Sequence, residues 1–439
     1  MFKETSKELL DFLSKSPTAF HAVENYRQIL NADGFKELLE SEHWDIVSGG
    51  KYYVTRNNTS ILAFKVGTKL DNYSFNIVTS HTDSPTFKVK ENAEIEVKNK
   101  YTQLNTEGYG GMLCATWLDR PLSIAGRVLV SEGNSIVTKL LNIDRDLLMI
   151  PNVAIHMNRA ANDGFKYNLQ VDMLPLLSAG DDRQKDFKQI IADELGVKKE
   201  DILGHDLYLY NRMAPSIWGA NEEFISAGHL DDLQCGFASL KALLSGYNDE
   251  SIDIMACFDN EEVGSGTKQG ADSTLLRDTL TRINNALGKT EEDYHRALAS
   301  SFMLSADNAH AVHPNHPEHT DATNCTYMNE GVVVKSHAGQ KYTSDGVSMA
   351  VVKSLASGAD VPLQYFANRS DKAGGSTLGN IAMAQASMNA VDIGLPQLAM
   401  HSSYETAGIK DTYYAISLMK ALFDSHIQET STHSLEIKS

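Results

Sequence analysis

The sequence has 439 residues, of which 42% are hydrophobic and 22% charged, as in a large globular protein with more than one domain. Its 57 acidic residues outnumber 39 Lys and Arg, and a net charge of −18 argues against nucleic-acid or membrane partners, which require a basic surface. The N-terminus has no signal-peptide pattern, and no apolar run approaches the ~20 residues that span a bilayer. The four cysteines are scattered without a CxxC pair, so we expect a reducing, cytoplasmic location.

The chain opens with two amphipathic helix patterns. Leu9, Leu10, Phe12 and Leu13 form the apolar stripe of the first, and Ser16-Pro17 is predicted to cap a second helix over about 19–30. From about Tyr52 the apolar period changes toward that of a strand.

Four later segments share one design, in which a short apolar run typical of a buried strand leads at once to metal-binding residue types. These segments are 75–80 before His81, 252–258 before Asp259-Asn260-Glu261-Glu262, 302–304 before Asp307, and 398–400 before His401. A fifth candidate, Asp231, follows the strand-like segment 224–227 and opens a helix pattern. Ligands of open α/β sheets bind beyond the carboxyl ends of the strands, so this arrangement predicts an α/β core with a site at that edge.

The segment between His81 and the other candidates has a different character. Strand-like alternation over 95–97 and 127–130 is mixed with a Gly-rich turn at 108–111. We therefore predict a mainly-β domain, residues 89–224, inserted into a catalytic domain formed by 1–88 plus 225–439.

A two-metal hydrolytic centre needs a bridging carboxylate, nitrogen or oxygen donors for each ion, and a water. Two dications would carry a net charge of +1 if they were held by three carboxylates and two neutral imidazoles, here Asp231, Glu262, Asp307, His81 and His401. That positive charge favours binding of a hydroxide or of a developing oxyanion. Without metal the same carboxylates would repel one another.

Two neighbouring acids fit supporting roles. Asp83 shares a strand face with His81 and could accept the second imidazole N–H. Glu261 and Glu262 are adjacent and could not both face one metal from a regular strand, so one is predicted to ligate while the other acts as the base.

Each signal alone also has an ordinary explanation. His81-Thr82-Asp83 could be a surface pair, Glu261-Glu262 a solvated turn, Asp231-Asp232 a helix cap, Asp307 a turn former, and His401 a core histidine. The histidine-rich segment 309–319 contains Pro314 and Pro317, which predict a solvent-facing loop, and no metal is assigned to it. It is the combination of signals that favours a metallohydrolase.

At these residues the chain resembles the aspartyl aminopeptidase family of dinuclear zinc metallopeptidases, which includes yeast vacuolar aminopeptidase I. The resemblance covers nearly the whole chain, and its motifs lie at 16–23, 80–85, 194–210, 230–233, 259–265, 305–315 and 396–402. The strings DNEEVGS and SADNAHAVHPN are the most specific of them. The resemblance implies a zinc-peptidase fold, of the phosphorylase/hydrolase-like kind, with an inserted dimerisation domain.

The resemblance also implies residue roles. His81 and Asp307 would hold one zinc, Glu262 and His401 the other, and Asp231 would bridge them, with Glu261 as base and Asp83 orienting His81. Mn²⁺ or Co²⁺ could substitute for zinc. Relatives assemble as dodecamers built from dimers, in which a histidine matching His156 reaches a neighbouring subunit. From its local sequence alone, His156 reads as a strand histidine.

The substrate side is less determined. In the family, preference for an acidic residue at the substrate's N-terminal position, P1, relies on a lysine and a tyrosine that match Lys335 and Tyr342. From its sequence context, Lys335 is either solvent-facing or pocket-lining. Differences from acid-preferring relatives at Tyr404-Glu405 and in the loop 368–376 leave a neutral apolar P1 open. A two-metal carboxypeptidase or deacylase and a non-catalytic assembly protein are the remaining alternatives.

Overall fold

The computed structural model describes residues 1–180 and 186–438. Within these ranges it contains nine α-helices and 22 β-strands. The helices are α1 Phe2–Ser14, α2 Ala19–Ala32, α3 Phe187–Leu195, α4 Leu230–Ser245, α5 Leu275–Ala286, α6 Glu291–Ala299, α7 Gly346–Gly358, α8 Leu378–Gln385 and α9 Asp411–Phe423. No helix in the described ranges is both long and apolar enough to cross a membrane.

The strands in the first half of the chain are β1 Lys36–Leu38, β2 Lys51–Arg56, β3 Ser60–Val66, β4 Ser74–His81, β5 Thr86–Val97, β6 Tyr101–Tyr109, β7 Leu122–Glu132, β8 Ser135–Asn142, β9 Leu176–Ala179, β10 Ile202–Asn211 and β11 Ser216–Trp218. Those in the second half are β12 Phe224–Ala227, β13 Ser251–Phe258, β14 Phe302–Ala306, β15 Ala309–His310, β16 Val332–Lys335, β17 Leu363–Phe366, β18 Asn389–Gly394, β19 Pro396–Leu398, β20 Glu405–Gly408, β21 His426–Ser431 and β22 Ser434–Lys438. The predicted α/β class is confirmed.

The two N-terminal helices form as their apolar stripes predict. Leu9 and Phe12 of α1 and Tyr26 of α2 are buried in one core with α4 and α9. The predicted cap is displaced, because α2 begins at Ala19 and Thr18, in extended conformation, occupies the N-cap position.

A nine-stranded mixed sheet, in the order β1-β2-β3-β13-β4-β14-β18-β16-β17, forms the centre of the fold. Strand β4 runs parallel to both of its neighbours, β13 and β14, and β14 runs parallel to β18. These central strands are buried throughout, as expected for parallel strands covered on both faces. One face packs in the core that includes α1, α2, α4 and α9, and the other packs against α5, α6 and α8.

Two further sheets complete the architecture around the central one. A six-stranded sheet, in the order β8-β7-β10-β5-β6-β9, uses only strands between Thr86 and Asn211. A five-stranded sheet, in the order β11-β12-β20-β19-β15, joins segments from distant parts of the chain. The strands of the six-stranded sheet begin three residues before the predicted insertion, 89–224, and end inside it. Strand β11 also falls inside the predicted insertion, but it pairs with β12 of the five-stranded sheet. The domain limits stay predictions, and residues 181–185 and 439 within them lie outside the described residues.

Candidate metal centre

Three of the predicted ligands lie at one edge of the central sheet, where His81, Glu262 and Asp307 stand at or just after the ends of β4, β13 and β14. His81 is the last residue of β4, and it pairs in register with Phe258, the last residue of β13. Thr79 pairs with Ser305 of β14, which brings Asp307 level with His81. Because these strands are parallel, their carboxyl ends meet, as the sequence pattern predicts.

The other two predicted ligands come from elsewhere, so the idea of five strand ends in one sheet is wrong. His401 follows β19 of the five-stranded sheet in a loop where its φ is +65°. Asp231 lies at the start of α4, after β12 of the same sheet, with non-helical backbone angles. The site therefore lies where the two sheets meet, which short-range periodicity could not reveal.

The five side chains converge into two groups that share Asp231. Ligand atoms of His81, Asp231 and Asp307 lie within 4.8 Å of one another, and so do those of Asp231, Glu262 and His401. His81 Nε2 lies 3.4 Å from Asp231 Oδ1, and His401 Nε2 lies 3.5 Å from Asp231 Oδ2. Each oxygen of this carboxylate thus faces one histidine, the geometry that a bridging ligand requires.

The chemistry of these groups fits a pair of dications. His81 Nε2, Asp231 Oδ1 and Glu262 Oε1 are buried, and none has a hydrogen-bond partner among the described residues. Burial and the charge of Asp231 raise the pKa of Glu262 to about 9, and burial also raises the pKa of Asp307. Buried carboxylates at such density are stable when cations neutralise them.

Glu261 lies beside the cluster, and its ligand oxygen is within 4.8 Å of those of His81 and Glu262. The chain leaves β13 through a single 3₁₀ turn, Glu261–Val263, which turns both glutamates toward the site. The two glutamates are therefore not in the regular strand that their prediction assumed. Burial raises the pKa of Glu261 to about 7.

Asp83 supports this turn, in addition to lying beside His81 as predicted. Its carboxylate accepts hydrogen bonds from the backbone N–H groups of Glu261 (3.1 Å) and Glu262 (3.2 Å) and from the Tyr109 hydroxyl (2.6 Å). The backbone carbonyl of Asp83 lies 3.0 Å from His81 Nδ1, and its Oδ1 lies 3.5 Å from the same nitrogen. Asp83 therefore contacts the His81 imidazole through both its main chain and its side chain, and it holds the two glutamates through its side chain.

Two supporting groups were missed by sequence reasoning. The buried Glu405 carboxylate accepts from the backbone N–H groups of Asp231 (3.0 Å) and His401 (2.8 Å), so it holds both ligands from the five-stranded sheet. Gly111, just after β6, accepts from His401 Nδ1 through its carbonyl at 2.7 Å. In the sequence Glu405 has no signal beyond its place after Tyr404, where acid-preferring relatives carry Arg, and a backbone carbonyl leaves no residue-type signal.

Lys335 is buried, so the first of its two predicted placements, facing solvent, is wrong. Its ammonium donates to the Asn308 carbonyl (2.8 Å), lies 3.7 Å from Asp307 Oδ1, and sits 5.7 Å from the centre of the Tyr342 ring. Burial opposes the charge, but Asp307 and Tyr342 raise the pKa of Lys335 above its ordinary value. Both predicted substrate residues thus lie on the Asp307 side of the cluster.

His156 lies apart from the cluster and, contrary to its local reading, is not in a strand. It is exposed within 151–175, a stretch of turns and irregular backbone. Large apolar side chains around it are also exposed, including Val153 (54%), Ile155 (48%) and Met157 (79%). Such a run is typical of a surface that another protein covers.

The chain is similar over most of its length to a family of zinc metalloproteases. Residues 12–423 match the family model described as aminopeptidase I zinc metalloprotease (M18). A relative from Clostridium novyi (strain NT), named "Probable M18 family aminopeptidase 2", is 48% identical over 425 residues, covering 95% of this chain and 98% of its own length.

Solved structures are similar over nearly the whole fold. The cryo-EM structure of the Ape4 and Nbr1 complex matches with a TM-score of 0.93 at 35% identity, covering 96% of this chain and 86% of that one. The S. cerevisiae mApe1 dodecamer matches with a TM-score of 0.83 at 28% identity, covering 96% of this chain and 97% of that one.

Proposed function

The chain belongs to the aminopeptidase I zinc metalloprotease (M18) family, and we propose that it removes the N-terminal residue of peptides with two zinc ions held by His81, Asp231, Glu262, Asp307 and His401. The observation that carries this proposal is the pair of donor groups that share the Asp231 carboxylate. Two bound Zn²⁺ ions would polarise the scissile carbonyl and acidify a water between them, and Mn²⁺ or Co²⁺ could substitute.

Glu261 is the general base in this proposal. It has no place in the two donor groups that share Asp231, yet it lies close enough to reach a water there. A carboxylate with a pKa of about 7 can take a proton from the nucleophile and return it to the leaving amine near neutral pH. Asp83 fixes its position through the two backbone hydrogen bonds. The acidic cluster also suits a protonated α-amine, which an aminopeptidase must recognise.

Two adjacent substitutions separate the base from the ligands. Glu261→Gln should retain both metals, measured by ICP-MS, while kcat falls by about 10²–10⁴-fold. Glu262→Gln should instead lose metal affinity. A Glu261→Gln enzyme with normal kcat would refute the assigned base. Hydrolysis of N-acetylated but not free-amine peptides would favour a carboxypeptidase or deacylase.

We further propose that P1 is acidic. Lys335 uses one of its three N–H donors on Asn308, and its charge would be available to a substrate carboxylate once Asp307 is neutralised. Aminoacyl-p-nitroanilides with Asp, Glu, Leu, Met and Lys test this, comparing Lys335→Met with the exposed control Lys353→Met. Lys335→Met should lose Asp and Glu hydrolysis selectively. Activity confined to Leu and Met in the wild type would instead establish the neutral alternative.

Assembly is part of the proposal. The mApe1 dodecamer and the exposed apolar side chains around His156 support a homo-oligomer, built from dimers into a dodecamer, in which His156 enters a neighbouring site. There its imidazole would donate to the developing oxyanion. A cytoplasmic location is supported by four cysteines that are all free.

A further inference from the structure

The histidine-rich segment 309–319, which the sequence predicts to be a solvent-facing loop without an assigned metal, brings metal-binding atoms together away from the proposed zinc pair. His316, Glu318 and His319 each offer one ligand atom, and these atoms lie within 4.8 Å of one another. His316 Nδ1 lies 3.0 Å and His319 Nε2 lies 3.9 Å from Glu318 Oε1. Donors around a tetrahedral zinc ion are about 3.4 Å apart, given Zn–N and Zn–O distances of about 2.1 Å, so small side-chain rotations suffice.

The backbone explains why these side chains converge. His316 N–H bonds to His313 O (3.0 Å), and His319 N–H bonds to His316 O (3.2 Å), so the segment makes successive i→i+3 turns. Side chains three residues apart eclipse in such turns. The imidazoles of His313, His316 and His319 accordingly follow one another with ring centroids 5.4 Å apart at both steps.

The loop is also held from outside. The Arg369 guanidinium donates to the backbone carbonyl of Glu318 and pairs with Asp371. All three histidines line a cavity of about 270 Å³, to which His310 and Met400 also contribute. Met400 immediately precedes His401, so this cavity adjoins the metal centre without sharing its ligands.

We infer that His316, Glu318 and His319 form an additional binding site for a divalent transition-metal ion such as Zn²⁺. Two imidazoles and one carboxylate are a donor set that zinc accepts, and a water can complete the tetrahedron. Imidazole donors favour zinc, copper and nickel over magnesium and calcium. Because all three residues are exposed, an ion there can exchange with solvent more readily than one in the buried cluster.

Equilibrium dialysis of the intact protein in zinc buffers spanning the nanomolar to micromolar range, with bound zinc measured by ICP-MS, tests this site. The His316→Gln/His319→Gln double variant is compared with His43→Gln/His295→Gln, which removes two exposed histidines elsewhere. The wild type and the control should bind one equivalent more than the His316/His319 variant. Circular dichroism checks that all three proteins are folded.

A second readout identifies the ligands directly. One equivalent of Cu²⁺ added to the zinc-loaded protein should give an EPR spectrum with imidazole nitrogen hyperfine structure, which the His316→Gln/His319→Gln variant lacks. Equal zinc uptake by that variant and the wild type, or an unchanged EPR spectrum, would overturn the inference. The test measures the difference in bound metal between variants that share the same buried cluster. Its outcome therefore does not depend on whether that cluster binds two ions, as the proposed function requires.

Discussion

The hydroxyl of Tyr109 offers a sharp test of how Glu261, the proposed base, and Glu262 are held in position. Tyr109 is the last residue of β6 in the six-stranded sheet, yet its hydroxyl donates at 2.6 Å to Asp83, whose carboxylate holds the Glu261-Glu262 turn. Burial and the Asp83 charge raise the pKa of Tyr109, so the phenol stays protonated and remains a donor. Tyr109→Phe removes this bond and the one that the hydroxyl accepts from Asn260 Nδ2 at 2.9 Å, and it leaves every proposed metal ligand in place.

The size of the effect depends on the kind of bond. A hydrogen bond to a charged group contributes about 1.5–3 kcal/mol, which corresponds to about tenfold to a hundredfold in rate if it is lost only from the transition state. Asp83 keeps its two backbone donors, so we expect the lower part of this range, about a tenfold fall in kcat. KM and zinc content should change little, because neither ligands nor substrate contacts are removed.

The assay is steady-state hydrolysis of the preferred aminoacyl-p-nitroanilide, with zinc content measured on the same samples. Tyr208→Phe is the matched control, since Tyr208 packs edge-on against Tyr109 in the same cavity of about 360 Å³. An unchanged kcat in Tyr109→Phe, or an equal loss in both variants, would refute the idea that the Tyr109 hydroxyl holds Glu261 in position through Asp83 and Asn260.

Two further predictions concern stability and assembly. Burial raises the pKa of Asp253 from 3.8 to about 8, so the free energy of unfolding of the wild type falls as pH rises through this window. The free energy of unfolding of Asp253→Asn, relative to that of the wild type, should therefore rise by about 4 kcal/mol between about pH 5 and about pH 8. Thermal or urea unfolding measures this, and a constant difference would contradict it. Ile155→Glu/Met157→Glu should yield smaller species by light scattering and lose activity, while the exposed control Leu39→Glu should remain assembled.

Much of the site could be predicted because strand ends are local signals. The strands before His81 and Asp307 each contain a short apolar run and are buried throughout, so both residues could be placed at the edge of a buried parallel sheet. Asp231 also opens a helix, as its spacing predicted. In these cases the residue types within one short window determine both the element and the position of the ligand next to it.

The remaining features depend on contacts between distant segments. Glu405 and Gly111 position ligands through backbone groups, and Tyr109 reaches the glutamate turn from another sheet. No periodicity records these contacts. Lys335 follows three valines, which leave it either solvent-facing or pocket-lining, and it is buried where β16 pairs with β17 on one side and β18 on the other. Likewise, a tight turn at Glu261–Val263 stands where the prediction for the two glutamates assumed a strand.

The junction of the two sheets at Asp231 has a consequence for the stability of the folded chain. Ligands from His81 to His401 enclose most of the sequence, so an occupied centre would act as a reversible cross-link closing a very long loop. Metal that is bound only by the folded state adds to the free energy of unfolding by mass action. Zinc concentration would then shift the folding equilibrium of the chain, as well as the rate of peptide hydrolysis.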